Sequence, residues 1–267
     1  MATRSATINV MIRAADRAAR GLKRDFGEAQ NLQISRKGPA DFVSAADTKA
    51  EKIVHRELEK ARPGFGFLME EGGAIEGADK DHRWIVDPLD GTTNFLHGLP
   101  HFAVSIGLEE RGEIVAGVVY DPVKDEIFWA EKGVGAFLGD RRMRVSGRGR
   151  LADSLLATGI PYLGRQDGEG HREFLSQLEA VMEKTSGVRR WGAASLDLAY
   201  VAAGRYDGFR ETGLSPWDVA AGVILVREAG GYVSQIDNRA HKLDSPTILA
   251  ANDRLHGEFV KLLGARG

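Results

Sequence analysis

The residues with the most chemical promise lie in one stretch, Trp84-Ile-Val-Asp-Pro-Leu-Asp-Gly-Thr-Thr-Asn-Phe95. An apolar run reads as a buried strand and delivers Asp87; Pro88 is expected to end that strand, and Asp90 follows. Gly91-Thr92-Thr93 can open a helix, so both carboxylates are placed on a tight turn at a strand end. Backbone amides behind the turn, with the threonine hydroxyls, offer a cradle for an anion at a helix N-terminus. Carboxylates for a hard cation beside amides for a phosphate are the two halves of a metal-dependent phosphoester site.

Two further acidic features could complete it. Glu70-Glu71 closes the apolar run Phe65–Met69, and Asp218 stands in Ser215-Pro-Trp-Asp218, where Pro and Asp both suit a helix's first turn. Crowded carboxylates favour their protonated forms unless a cation neutralises them. Magnesium suits an all-oxygen site and is commonly shared with a substrate phosphate. Each feature also has a plain reading when taken alone: Asp-Pro and Asp-Gly are ordinary turns, Glu70-Glu71 a solvated strand end, Asp218 a helix cap.

The full string decides between these readings. Asp87 to Phe95 resembles the first motif of the inositol monophosphatase family, Asp-Pro-hydrophobic-Asp-Gly-Thr-x-Asn-Phe, within the wider lithium-sensitive, magnesium-dependent phosphatases. Trp217-Asp-Val-Ala-Ala-Gly222 with Glu228-Ala-Gly-Gly231 is similar to its second motif, and Arg189 to Phe209 extends the likeness. The resemblance implies that Glu70, Asp87 and the Leu89 carbonyl hold a first magnesium ion. Asp87, Asp90 and Asp218 would hold a second, and Glu70 would help order a third, giving two to three ions. It implies that Thr92, paired with Asp47, activates the attacking water. Asp41-Phe-Val-Ser-Ala-Ala-Asp47 has the family's Val-Thr-x-x-Asp form with Ser44 for Thr. Lys37 matches a basic loop residue near the phosphate, and the Gly91 and Thr92 amides would hold that phosphate. Asp90, Ala194, Glu211 and Asp218, with Arg189, would line a polyol pocket. The implied substrate is a small phosphorylated polyol, with inositol monophosphate first. Histidinol phosphate, fructose 1,6-bisphosphate and a nucleotide 3′-phosphate are the rivals. A homodimer is implied too, supported by the apolar faces of the segment 102–131.

The elements that must position these residues follow from periodicity. Ile8, Met11, Ile12, Ala15, Ala18, Ala19, Leu22 and Phe26 mark an amphipathic helix over residues 5–27. A polar loop around Lys37-Gly38-Pro39 leads to a second helix from about Asp47. Residues 102–108, 113–121 and 125–131 alternate as an antiparallel meander. Helices near 169–184, 195–203 and 217–229 then alternate with strands near 206–209, 232–234 and 247–251, and a last helix begins near Asp253. The expected fold class is α/β, an α+β layered αβαβα sandwich of two tightly packed lobes. The lobes are residues 1–147, with the metal and phosphate motif, and 148–267, with the Trp-Asp motif, and the site lies between them.

Composition narrows the class. The 267 residues are 43% hydrophobic and 28% charged, with a net charge of −2. No global field favours nucleic acid or anionic membrane. The absence of cysteine excludes thiolate catalysis and cysteine-bound zinc. No run approaches the length of a membrane span and no signal peptide is recognisable, so a cytoplasmic protein is expected. Five arginines in residues 139–150 read as a solvated hairpin arm, or as a docking patch for an acidic partner; the family resemblance, not the charge run, implies the transcription machinery as such a partner. His97 and His101, Gly133-Val-Gly135, Trp191 and Trp217 read as structural.

Overall fold

The computed structural model describes residues 3–26, 34–38, 41–161 and 168–264, with only the backbone of 34–38 and 41–44. The strands are β1 (Ile34–Gly38), β2 (Asp41–Ser44), β3 (Gly66–Met69), β4 (Gly73–Ile75), β5 (His82–Asp90), β6 (Ala103–Glu110), β7 (Glu113–Asp121) and β8 (Glu126–Glu131). They continue with β9 (Gly135–Leu138), β10 (Arg141–Arg142), β11 (Leu155–Thr158), β12 (Gly187–Arg189), β13 (Gly208–Thr212), β14 (Tyr232–Ser234) and β15 (Thr247–Ala251). The helices are α1 (Ala6–Phe26), α2 (Ala45–Ala61), α3 (Thr92–Leu96), α4 (Gly168–Lys184), α5 (Ala194–Ala202), α6 (Pro216–Glu228) and α7 (His256–Gly264).

Side-chain alternation turns these elements into layers. The large sheet runs β10-β9-β8-β7-β6-β5-β3-β4, and the smaller one β12-β11-β13-β15-β14. On β5, Trp84 and Val86 point to one face and Ile85 to the other, as period-2 geometry requires. The Trp84 face, joined by Val104, Ile106, Leu108 and Val118, buries the apolar stripes of α1 and α2. The Ile85 face meets α5 and α6, whose far sides pack on Ala157, Phe209 and Ala250 of the small sheet. Leu156, Leu249 and Ala251 face the opposite way, against Val181 of α4 and Phe259 and Leu263 of α7. The result is the αβαβα sandwich. Its middle layer comes from the C-terminal half of the chain but lies on a sheet built by the N-terminal half.

Helix α6 lies close to the large sheet because two central strands carry glycine beneath it. A Cβ on Gly107 would come within 2.9 Å of Ala220 Cβ, and one on Gly117 within 2.6 Å of Ile224 Cγ2 and 2.8 Å of the Ala221 carbonyl. Both helices of the middle layer are nearly apolar all round, as befits elements buried on two sides.

Several local features differ from expectation. Strand β5 does not stop at Pro88 but continues to Asp90. The register against β6 jumps from Asp87↔Ser105 to Asp90↔Ala103, so Pro88 and Leu89 form a bulge, where a residue without an N–H is tolerated. The loop around Lys37 contains the β1–β2 hairpin. Only Arg141 and Arg142 of the arginine segment belong to a hairpin, against Phe137 and Leu138. Beyond them the chain is a strap docked on the C-terminal half: Met143 is buried, the Val145 N–H donates to Ala229, and Arg148 pairs with Asp207. Both faces of the 102–131 meander are covered by helices of the same chain, which removes that argument for a second copy. No helix among the described residues is long and apolar enough to cross a membrane.

Candidate active site

The bulge on β5 is where the site is built. It aims Asp87 and Asp90 toward the edge of the middle layer while β5 stays paired with β6, its pairing with β3 having ended at Val86. Asp87 is 2% exposed, and its Oδ1 accepts the Leu89 N–H at 2.9 Å, which closes the turn. Gly91 then takes a left-handed conformation (φ 94°), and α3 follows as a short five-residue helix. With so short a helix, an anion here would be held by individual amides rather than by a helix dipole.

Asp90 reaches across the layers. Its Oδ2 accepts both the Ser195 backbone N–H, at 2.8 Å, and the Ser195 hydroxyl, at the start of α5. Asp218 occupies the third position of α6, and its Oδ2 accepts the Ser215 N–H at 2.7 Å, forming a capping box with Ser215. Glu70 follows β3, with its N–H on the Val86 carbonyl at 3.2 Å. Thus a β5 bulge, a β3 end and a helix start supply the four carboxylates.

Their electrostatics show that the four share one region. Asp87 is pushed well above the usual carboxylate range by burial first, then by the charges of Glu70, Asp90 and Asp218. Asp90 is raised to about 7 by burial and then by Asp218, against the opposing Ser195 and Ala194 hydrogen bonds. Asp87, Asp90 and Asp218 are each turned onto a backbone N–H, of Leu89, Ser195 and Ser215 respectively. Among the described residues, no three acidic or histidine side chains close on a single point. The donor set nevertheless fits a hard divalent cation: it is all oxygen, buried, and made costly by its own like charges.

Thr92 lies beside this cluster. Its hydroxyl is 2.9 Å from Asp47 Oδ1 and 3.0 Å from the Leu89 carbonyl, so one proton serves two acceptors. Asp47 is fully buried in the first turn of α2. Thr92 and Asp47 are therefore a pair, as expected, and the Leu89 carbonyl belongs to the same cluster. Ala194 opens α5, and its N–H is one of the donors that hold Asp90 down. Glu211 is on β13, on the small-sheet side.

Arg189 is not brought to the acidic cluster. It is exposed at the end of β12, and its guanidinium folds back onto the Val188 carbonyl at 3.0 Å. The neighbouring Arg190 instead acts electrostatically on Asp197. The side chain of Lys37 lies outside the described residues.

Ser195, Glu51 and Asp197 were missed in the sequence, and Asn94 was read there only as part of the first motif. Ser195 holds Asp90. Glu51 accepts the Glu71 N–H at 2.8 Å and so pins the turn after Glu70; its position one helical turn beyond Asp47 is the signal that could have found it. Asn94 donates to the carbonyls of His101 (2.8 Å) and Trp191 (2.7 Å), tying α3 to the segment that leads into α5. Asp197 is buried in α5, and its Oδ1 has no hydrogen-bond partner among the described residues. His101 is neutral, lowered to about 4 mainly by burial, and packs against Trp191 in a structural role.

Known proteins share both the sequence and this architecture. The profile of the inositol monophosphatase family matches residues 4–266. A Mesorhizobium japonicum inositol-1-monophosphatase is 60% identical over 258 residues, 97% of this chain and 96% of that one. The Nus factor SuhB of Pseudomonas aeruginosa is 45% identical, with 92% of each chain covered. The crystal structure of the extragenic suppressor protein suhB from Bartonella henselae superposes with a TM-score of 0.95 at 56% identity, covering 98% of this chain and all of that one. A motif read from one strand, a fold of five layers and a match from end to end agree: this chain belongs to the inositol monophosphatase family.

Proposed function

We propose that the chain is a magnesium-dependent phosphomonoesterase that hydrolyses inositol monophosphate to inositol and phosphate. The observation that carries this reading is the cluster Glu70, Asp87, Asp90 and Asp218 beside the Thr92–Asp47 pair. Magnesium, when bound by these carboxylates and the Leu89 carbonyl, supplies charge neutralisation and makes water more acidic. The amides of Gly91 and Thr92 orient the phosphate. The Thr92 hydroxyl commits its single proton to Asp47 or Leu89, so its remaining lone pair can accept a proton from the attacking water. Buried Asp47 fixes the direction of that transfer. Positioning and preorganised charge account for most of the acceleration. Glu211 and Asp90 accept hydrogen bonds from ring hydroxyls, which selects a polyol.

The test is steady-state turnover of a panel of phosphate esters with magnesium, in the presence and absence of lithium. Inositol 1-phosphate should lead histidinol phosphate, fructose 1,6-bisphosphate and nucleotide 3′-phosphates in kcat/KM. A strong preference for histidinol phosphate, erased by Glu211→Gln, would move the assignment to a cationic substrate.

A further inference from the structure

The carboxylate of Glu211 rests where Gly159 has no side chain. The parallel register of β11 and β13 pairs Thr158 with Arg210, which brings the next residues, Gly159 and Glu211, alongside each other. A Cβ built on Gly159 would overlap the Glu211 carboxylate, Cδ and both oxygens alike. The Thr158 hydroxyl holds the Gly159 carbonyl at 2.8 Å, so this stretch of backbone is fixed from behind. Asp197, fully buried on α5, has Glu211 as its strongest electrostatic neighbour, and its Oδ1 has no hydrogen-bond partner among the described residues. A buried acceptor without a donor is costly, and a hydroxyl-bearing ligand or ordered water is the kind of group that satisfies one.

We infer that Gly159 is a specificity-determining position, which by lacking a side chain seats the Glu211 carboxylate beside Asp197 for polyol recognition. Gly159 touches no reacting atom and acts only through Glu211, so it is a positioning residue. The inference rests on the proposed role of Glu211 in binding ring hydroxyls. It goes further in naming what fixes that carboxylate. Alanine at 159 needs no unusual backbone, and the three atoms nearest its Cβ all belong to the far end of a flexible side chain. The fold therefore tolerates the change while the carboxylate does not stay.

The experiment compares wild type, Gly159→Ala, Glu211→Ala and the double variant, using inositol 1-phosphate and 4-nitrophenyl phosphate, which has no ring hydroxyls. Gly159→Ala should lower the ratio of kcat/KM between the two substrates about tenfold, chiefly through KM for inositol 1-phosphate. Once Glu211 is already alanine, it should change that ratio by less than about twofold, because no carboxylate is left to move. Thermal melting of each variant confirms folding. If Glu211→Ala lowers the ratio and Gly159→Ala does not, the seat is wrong and the role of Glu211 stands. If Gly159→Ala lowers the ratio equally in both backgrounds, it acts on something other than Glu211, and the inference fails. If Glu211→Ala leaves the ratio unchanged, the proposed role of Glu211 itself is lost.

Discussion

Ser195 grips Asp90 with two donors on one oxygen, its backbone N–H at 2.8 Å and its hydroxyl. This bond crosses from the first residues of α5 to the bulge of β5. It is the main force holding the Asp90 carboxylate in its charged form against burial and Asp218.

Ser195→Ala removes the hydroxyl and keeps the backbone donor. The acid form of Asp90 is then favoured more, so protons compete better with a cation for its oxygens. The acid limb of kcat/KM should move up by about one pH unit, the scale of one charge-assisted hydrogen bond. The magnesium concentration for half-maximal rate should rise several-fold at pH 6 and less at pH 8. Titrations of rate against magnesium at both pH values check this; identical curves for variant and wild type would remove Ser195 from the argument.

Asp90→Asn keeps the size of the side chain and removes its charge. Hydrolysis should fall by at least about 10³-fold, since positioning and charge stabilisation carry most of the rate. Saturating magnesium should stabilise the wild-type fold by about 3 kcal/mol at a hundredfold excess over its dissociation constant. That corresponds to about 5–10 °C in melting temperature for a chain of this length. The gain should largely vanish in the variant. Fluorescence melting across a magnesium series reads it directly, and a melting point indifferent to magnesium would contradict a clustered cation site.

Without added cation the same substitution has a pH signature. Asp90 titrates at about 7 when folded and near 3.8 otherwise, so between those values the folded chain binds the extra proton. Its contribution to stability therefore falls as pH rises from about 4 to 7. His101 and His241, both lowered to about 4 chiefly by burial, work in the opposite direction over most of this window, and equally in both proteins. The melting-temperature advantage of Asp90→Asn over wild type in chelator should thus widen from pH 4 to pH 7. A constant difference would show that Asp90 is not the strained group.

Thr92→Val and Asp47→Asn address the proton path. Thr92→Val deletes the acceptor for the water's proton, and Asp47→Asn removes the carboxylate that orients it. Each should lower kcat by about 10²–10³-fold with little change in KM. If the pair acts as one unit, the double variant should be no worse than the poorer single one. Strict additivity of the two losses would mean they act separately.

Much of this was legible in the sequence because local signals agreed with tertiary demands. The string from Asp87 to Phe95 announced its chemistry, and the stripes of α1, α2 and α4 announced their helices. Helices α5 and α6 were expected close to where they lie, and the Pro and Asp of the first turn of α6 marked Asp218. What stayed hidden was set by contacts between distant segments. Pro88 ends most strands, yet a bulge absorbs it here because β6 continues past. Strands β11 and β12 are too short to show a period. Arg189 stands in a suggestive place, but β12 leaves its side chain at the surface, folded onto its own backbone. Ser195 could not be assigned to Asp90 without knowing that α5 starts beside β5.

The glycines beneath α6 make the spacing of charges a matter of clearance. Asp218 rides on the first turn of a helix whose height above the sheet is set at Gly107 and Gly117. A methyl at either glycine would act as a shim, raising or tilting α6 and carrying Asp218 away from Asp87 and Asp90. A shift of about 1 Å at a reacting centre can cost on the order of a hundredfold in rate. The enzyme could thus be disarmed from the underside of its middle layer by changes that alter no ligand, no base and no substrate contact.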